Sequence, residues 1–305
     1  MPFEARLAFA GALGFVVTLV ATPLAVRVAL ATNSLDHPGG RKGHAAATPY
    51  LGGTALLGGL AVAALALADG SVRFLPLLGG AVALWFVGTL DDRLGVPASL
   101  RLAVAVAGGA LLWAEDLGWH TGVGAGADLA LSCAWTGAVA TAFNLLDNID
   151  GAAGSVGAAA AAGVGSLAAL GDDLVLAALA FGLCGACLGF LRYNLNSPAR
   201  IFLGDGGSLP LGFVLAGSAM SLRLEGEGIV VAAAVALLLA AVPLLDTSFV
   251  VVSRLRRGVP VNTSGRDHIT HRMLERLGSE RAVAGALAAI QAVLSALAIA
   301  LAQLG

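Results

Sequence analysis

Residues 142–150 read AFNLLDNID, an apolar run that ends in Asn144, Asp147, Asn148 and Asp150. Two other acidic stretches stand in the same setting: the adjacent pair Asp91 and Asp92 closes one apolar run, and Asp205, in G-D-G-G-S, precedes another. On a helix, Asn144 and Asp147 lie three apart and share a face. Asp91 and Asp92 would point about 100° apart, so both can line one pocket mouth. Asp150 diverges from the Asn144 face unless the helix ends near Gly151, and the glycines around Asp205 permit close backbone approach. Carboxylate and amide oxygens suit a hard cation such as Mg²⁺, which takes one or two protein carboxylates and fills its remaining positions with water and substrate phosphates.

The cations gather in two further stretches, DHPGGRKGH (36–44) with Arg41, Lys42 and His44, and SGRDHITHR (264–272) with His268, His271 and Arg272. Arginine grips phosphate through two parallel hydrogen bonds and lysine acts as a point charge. Lys42 is the only lysine beside sixteen arginines, which suggests a demand specific to an ammonium group. Acids for a metal and bases for phosphates fit phosphoryl transfer between a nucleotide-activated substrate and a lipid phosphate. That chemistry needs positioning and charge neutralisation more than a protein nucleophile.

The elements that must hold these groups are membrane helices. Residues are 58% hydrophobic and only 12% charged, half the charge of a soluble domain at about 25%. The mean hydropathy is +0.89. Apolar segments fall at 7–31, 51–68, 74–90, 100–115, 127–146, 153–170, 174–193, 206–221, 228–252 and 282–303. The expected fold is all-α: one integral membrane domain over 1–305, about ten transmembrane helices, and both termini on the non-cytoplasmic side. The first segment reads as a membrane helix rather than a cleavable signal, since its apolar run is long and a basic leader is missing. Nothing points to nucleic acid, because no dense basic run sits on a soluble fold. Cys184 and Cys187 form C-x-x-C, but with no second pair and a helix-like setting they read as packing residues.

Orientation follows from the basic residues. Placing the odd-numbered connections on the cytoplasmic side gives that side fourteen of the seventeen Lys and Arg residues. The same odd connections carry every polar cluster: 36–44, 91–93, 144–151, 202–207 and 264–272. Singly, each cluster has a plainer reading. A loop aspartate such as Asp36 or Asp116 is ordinarily a cap or a solvated residue. An acidic pair can mark a helix end, a loop histidine can lie beside lipid headgroups, and glycines can serve helix packing alone. One site built from several loops explains five clusters on one face better than five accidents. A cation- or proton-coupled transporter is the rival from another class, and it would want acids deep within helices. Asp246, inside the ninth segment, is the residue that fits that rival.

At these residues the sequence resembles a known family, the polyprenyl-phosphate N-acetylhexosamine-1-phosphate transferases of glycosyl transferase family 4. The motifs run in the family's order over essentially the whole chain: DHPGGRKGHAAATPYLGG, LDDRLGV, FNLLDNIDGAAG, FLGDGGSLPLG, PLLDTSFVVVSRLRRG and GRDHITHRML. The R-K-x-H of the first motif is nearer the O-antigen and teichoic-acid initiating branch than the peptidoglycan translocase. The resemblance implies a bacterial inner-membrane enzyme with its site on the cytoplasmic face. In that reaction a polyprenyl phosphate attacks the β-phosphorus of a UDP-N-acetylhexosamine, UMP leaves, and a lipid-diphosphate-sugar forms. It further implies Asp205 as the main ligand of Mg²⁺ (or Mn²⁺), Asn144 as a second, and Asp91 and Asp92 near the lipid phosphate or metal, one of them a candidate base. Phe202 would stack on uracil, with Asp147 and Asp150 in the nucleotide pocket. Arg41, Lys42 and His44 would bind substrate, and His268, His271 and Arg272 would contact sugar or diphosphate. Homodimerisation is left open, and a catalytically inactive family member is the second rival. Three positions depart from the family pattern: Asn148 where the family usually has Gly, Thr141 where an upstream Asn is common, and Thr270 for one His of H-x-H-H-R; the last two fall in regions near the nucleotide and sugar and bear on the donor.

Overall fold

The computed structural model describes residues 2–38, 47–67, 72–224, 228–261, 263 and 265–304. It is an all-α polytopic membrane protein. Helix α1 (Phe3–Ala31) leads to a short hairpin, β1 (Leu35–Asp36) with β2 (Thr48–Pro49). Then come α2 (Gly52–Leu67), α3 (Leu75–Leu94), α4 (Ala98–Ala114), α5 (Ala125–Leu146), α6 (Ala152–Leu170), α7 (Leu174–Asn194) and α8 (Asp205–Met220). The chain closes with α9 (Ile229–Leu239), α10 (Ala241–Arg256), α11 (Ile269–Leu277) and α12 (Glu280–Leu304). Nine of the ten predicted apolar segments each coincide with one helix to within a few residues. Among the described residues six helices (α1, α3, α5, α6, α7 and α12) are long and apolar enough to cross a membrane, and α2 and α4 are shorter apolar helices.

The ninth predicted segment differs: it is broken into α9 and α10, which meet at 80°. Pro243 supplies the cause. It sits in the first turn of α10, where its ring cannot donate to the Leu239 carbonyl four residues back. Buried Gln291 of α12 takes over those backbone groups. Its Nε2 donates to the carbonyls of Leu238 (3.0 Å) and Leu239 (3.1 Å), and its Oε1 accepts from the Val242 N–H at 3.3 Å. In lipid such groups must be satisfied within the protein. The second difference is α11, a nine-residue helix with apolar and polar faces that is too short and polar to register as an apolar segment.

Helix α8 is the hub. Every residue from Gly206 to Met220 is buried, and α2, α3, α5 and α6 pack around it. Its first turn lies directly on α3: a Cβ on Gly88 would strike the Asp205 carbonyl, and one on Gly206 would strike Thr89. Large apolar side chains point outward instead, among them Val16, Val20 and Leu24 of α1 and Val293 and Leu297 of α12, as lipid-facing surfaces require.

The connections sort by parity. At one end Phe202 N–H bonds Pro49, Asp205 N–H bonds Asp92, Gly151 N–H bonds Asn194, and Arg281 bonds the Leu195 carbonyl. At the other, Arg73 pairs with Asp173 at 2.6 Å and Ser221 Oγ donates to the Leu117 carbonyl. The odd connections thus meet each other, and so do the even ones.

Candidate active site

The N-terminus of α8 organises the site. Asp92, near the end of α3, accepts the Asp205 N–H on Oδ1 (2.9 Å) and the Gly206 N–H on Oδ2 (3.1 Å). A carboxylate on those otherwise unpaired amides acts as an N-cap supplied by another helix. Gly204, with φ of +73°, makes the turn into α8 and leaves room for Asp92, whose Oδ2 a Cβ there would meet at 2.6 Å.

The Asp205 side chain then projects from the first turn of α8 between two partners. Asn144 Nδ2, from the last turn of α5, donates to Asp205 Oδ1 at 2.7 Å and to Ser208 Oγ at 3.1 Å. Arg101 of α4 donates through Nη1 to Asp205 Oδ2 and to Asp91 Oδ2. The Asp91, Arg101 and Asp205 side chains are 14%, 21% and 25% exposed, so the cluster is open at one side while largely desolvated. The two adjacent aspartates therefore face different tasks: Asp92 is spent on backbone amides, whereas Asp91 faces Arg101.

Asp147 caps the C-terminus of α5 beside this cluster. Burial, then the like charges of Asp205, Asp150 and Asp92, hold its carboxyl well above the usual range. Asp150 lies a little apart, against Asn194 (3.5 Å) and Glu280; burial and the Glu280 carboxylate push it up to about 7. Asp91, Asp92, Asp147 and Asp205 thus share one neighbourhood in which Arg101 is the cation bonded to them among the described residues. Such an excess of carboxylate calls for a further cation.

The donor set fits a magnesium-like ion. Asp205, the Asn144 amide and nearby Asp91 and Asp147 are hard oxygen donors, and such an ion needs only one or two carboxylates. Among the described residues no group of three or more His, Cys, Asp or Glu side chains is placed to hold a metal ion by itself; an ion here would rest on fewer protein ligands, with water and substrate completing its coordination.

Phe202 is held by an extended segment that pairs with the start of α2. Its N–H donates to the Pro49 carbonyl at 2.7 Å, and its own carbonyl accepts the Gly52 N–H at 3.0 Å. Arg41, Lys42 and His44 lie outside the described residues; the hairpin that flanks them, paired Leu35 to Pro49 and Asp36 to Thr48, adjoins this segment.

The histidine stretch is placed by α10. Asp246 accepts the Ile269 N–H on Oδ1 and meets His268 Nδ1 through Oδ2, both at 2.7 Å. The intramembrane acid that a transporter would need is therefore committed to docking α11. His268 is 5% exposed and packs edge-on against His271, with ring centroids 6.0 Å apart. Among the described residues the buried His271 Nδ1 has no hydrogen-bond partner, a signature of an unfilled role. Burial, with Arg266 and His268 nearby, pulls its pKa down. Arg272 stacks on Phe249 at 4.6 Å. Two departures from the family pattern also meet: Thr270 Oγ1 donates to Asn148 Oδ1.

Sequence reasoning used Arg101 only for orientation and did not single out Asn194. Arg101 lies ten residues after Asp91, across the α3–α4 turn, and only the contact reveals it. Asn194, 4% exposed, accepts the Gly151 N–H (2.7 Å) and donates to the Ile201 carbonyl (3.0 Å), tying the Asp150 turn to the Phe202 segment.

The sequence profile of glycosyl transferase family 4 matches residues 74–223, the stretch that runs from α3 to the end of α8. A decaprenyl-phosphate N-acetylglucosaminephosphotransferase of Mycobacterium tuberculosis is 30% identical, covering 91% of this chain and 78% of its own length. An undecaprenyl-phosphate alpha-N-acetylglucosaminyl 1-phosphate transferase of Escherichia coli is 29% identical over 87% of this chain and 75% of its own. With the aspartates, Asn144 and the α8 N-terminus gathered at one end of the helices, the chain belongs to glycosyl transferase family 4, among the polyprenyl-phosphate N-acetylglucosamine-1-phosphate transferases.

Proposed function

We propose that this protein transfers N-acetylhexosamine-1-phosphate from a UDP-sugar to polyprenyl phosphate, with Mg²⁺, at the cytoplasmic face of a bacterial inner membrane. The observation that carries the reading is the Asp205 carboxylate at the head of a buried helix, with Asn144 on one oxygen and Arg101 on the other. A phosphate oxygen of the lipid attacks the β-phosphorus, the bridging P–O bond to the α-phosphate breaks, and UMP carries off the electron pair. A phosphate monoester is already largely ionised near neutral pH, so no protein base is required. Asp91 orients Arg101 toward the diphosphate, and Asp92 fixes the α8 N-terminus. Asp147, Asp150 and Phe202 receive the nucleotide, and His271 hydrogen-bonds the sugar or diphosphate. Asp205 and Asn144 hold the metal, which supplies charge neutralisation at the diphosphate when bound.

Membranes containing the protein, given polyprenyl phosphate and radiolabelled UDP-N-acetylglucosamine, should form labelled lipid and release UMP. EDTA should stop the reaction and Mg²⁺ restore it. Release of UDP instead would mean plain glycosyl transfer, and indifference to chelator would remove the metal.

A further inference from the structure

Asn148 and Thr270, 122 residues apart in sequence, are joined by a hydrogen bond from Thr270 Oγ1 to Asn148 Oδ1. The orientation of the Asn148 amide is fixed independently. Its Nδ2 donates to the Leu145 carbonyl at 2.7 Å, in the last turn of α5, which leaves Oδ1 as the acceptor for Thr270. Thr270 is fully buried, so its hydroxyl cannot turn to water instead.

The two residues sit inside the two segments to which the function proposed above assigns the nucleotide sugar. Asn148 follows Asp147 directly and precedes Asp150 by two. Thr270 lies in the first turn of α11, between His268 and the His271–Arg272 pair. Helix α11 also rests on α10, where Asp246 holds the Ile269 N–H and His268, and Met273 and Leu274 pack it against the apolar core. Apolar packing tolerates small slides and rolls that a directional hydrogen bond to a further element does not. The side chain after Thr270 is His271, whose buried Nδ1 lacks a partner among the described residues.

We propose that the Thr270–Asn148 hydrogen bond is a positioning contact for the UDP-sugar: it fixes the spacing between the turn carrying Asp147 and Asp150 and the helix carrying His271. This rests on the function proposed above. The pair touches neither the Asp91–Arg101–Asp205 cluster nor the phosphoryl chemistry, so its loss should weaken donor binding and spare the lipid substrate.

The test is a double-mutant cycle on the full-length protein, reading KM for UDP-N-acetylglucosamine and for polyprenyl phosphate separately. Thr270→Val keeps the shape and removes the donor hydroxyl. It should raise the donor KM about tenfold, the scale of one buried hydrogen bond, with the lipid KM unchanged. Asn148→Ala should do the same, and the double variant should be no worse than either single one. Thr270→Ser, which restores the hydroxyl, should return the donor KM to near wild type. Additive losses, an equal rise in both KM values, or a Thr270→Ser protein as impaired as Thr270→Val would each overturn the pairing while leaving the enzyme reading intact. A wild-type protein that transfers no sugar phosphate would overturn the functional reading and this one with it.

Discussion

Asp205 is the side chain on which several elements converge, and its two oxygens divide the labour between an amide and a guanidinium. Asp205→Asn preserves size and an oxygen for one partner but removes the charge that would hold a cation. Turnover should fall at least a hundredfold, the order seen when an electrostatic group is lost from a desolvated site. Thermal stability should hold, since the Arg101 guanidinium keeps Asp91. Near-normal UMP release by a well-folded Asp205→Asn protein would end its assignment as a metal ligand. The neighbouring pair separates by a second measurement. Asp92 holds two backbone amides with its two oxygens, so Asp92→Asn must turn an N–H₂ group toward an N–H donor. It should lower stability by about 1–3 kcal/mol, the cost of a buried group left unpaired, as well as activity. Asp91→Asn should lower activity with little change in melting temperature. Equal melting-temperature losses would dissolve the distinction. The sequence marks both aspartates but cannot tell them apart, because what divides them is the N-terminus of a helix more than a hundred residues away.

Among the elements, the apolar run that marks each membrane helix was legible throughout, and the departures have local causes. The break between α9 and α10 follows from Pro243, which was visible as a proline in an apolar run. What the run did not show was Gln291 on α12, positioned to satisfy the carbonyls and N–H that the break exposes. A proline alone leaves open whether a membrane helix kinks or continues; the partner decides it. Gln291→Leu keeps a side chain of similar size and strands those backbone groups in a buried setting. It should destabilise the protein by about 1–3 kcal/mol, read as a lowered melting temperature in detergent, and Gln291→Glu should not rescue it, having lost the N–H₂ donor. An unchanged melting temperature for Gln291→Leu would mean that water or lipid headgroups satisfy the break instead. Helix α11 escaped sequence reading for the opposite reason: its apolar face, Met273 and Leu274 on the core, is too short to recognise, and polar contacts to Asp246 and Asn148 complete its docking.

Over the whole molecule, the parity of the connections ties the charge count to the architecture. The odd connections carry the basic residues and meet at the α8 N-terminus, and the even ones meet at Arg73, Asp173 and Ser221. Chain segments that alternate in this way must run antiparallel through the layer between the two ends. The spacing of polar clusters made the shared face legible, but the convergence onto one helix was not, because sequence gives the side of a loop and not its neighbours. The proposed absolute direction rests on the basic excess, since fourteen of the seventeen Lys and Arg residues fall in the odd connections and would disfavour their translocation. Two exposed valines test it. Val123 lies in an even connection and Val261 in an odd one, 77% and 47% exposed. In intact spheroplasts a membrane-impermeant maleimide should label Val123→Cys directly and label Val261→Cys only after permeabilisation. The native Cys133, Cys184 and Cys187 lie within α5 and α7 and should stay dark in the parent protein, which sets the background. If both engineered cysteines label from outside, the odd and even ends share a side, and the antiparallel arrangement fails. If only Val261→Cys labels, the architecture stands but faces the other way, and the site would open away from the compartment where nucleotide sugars are made.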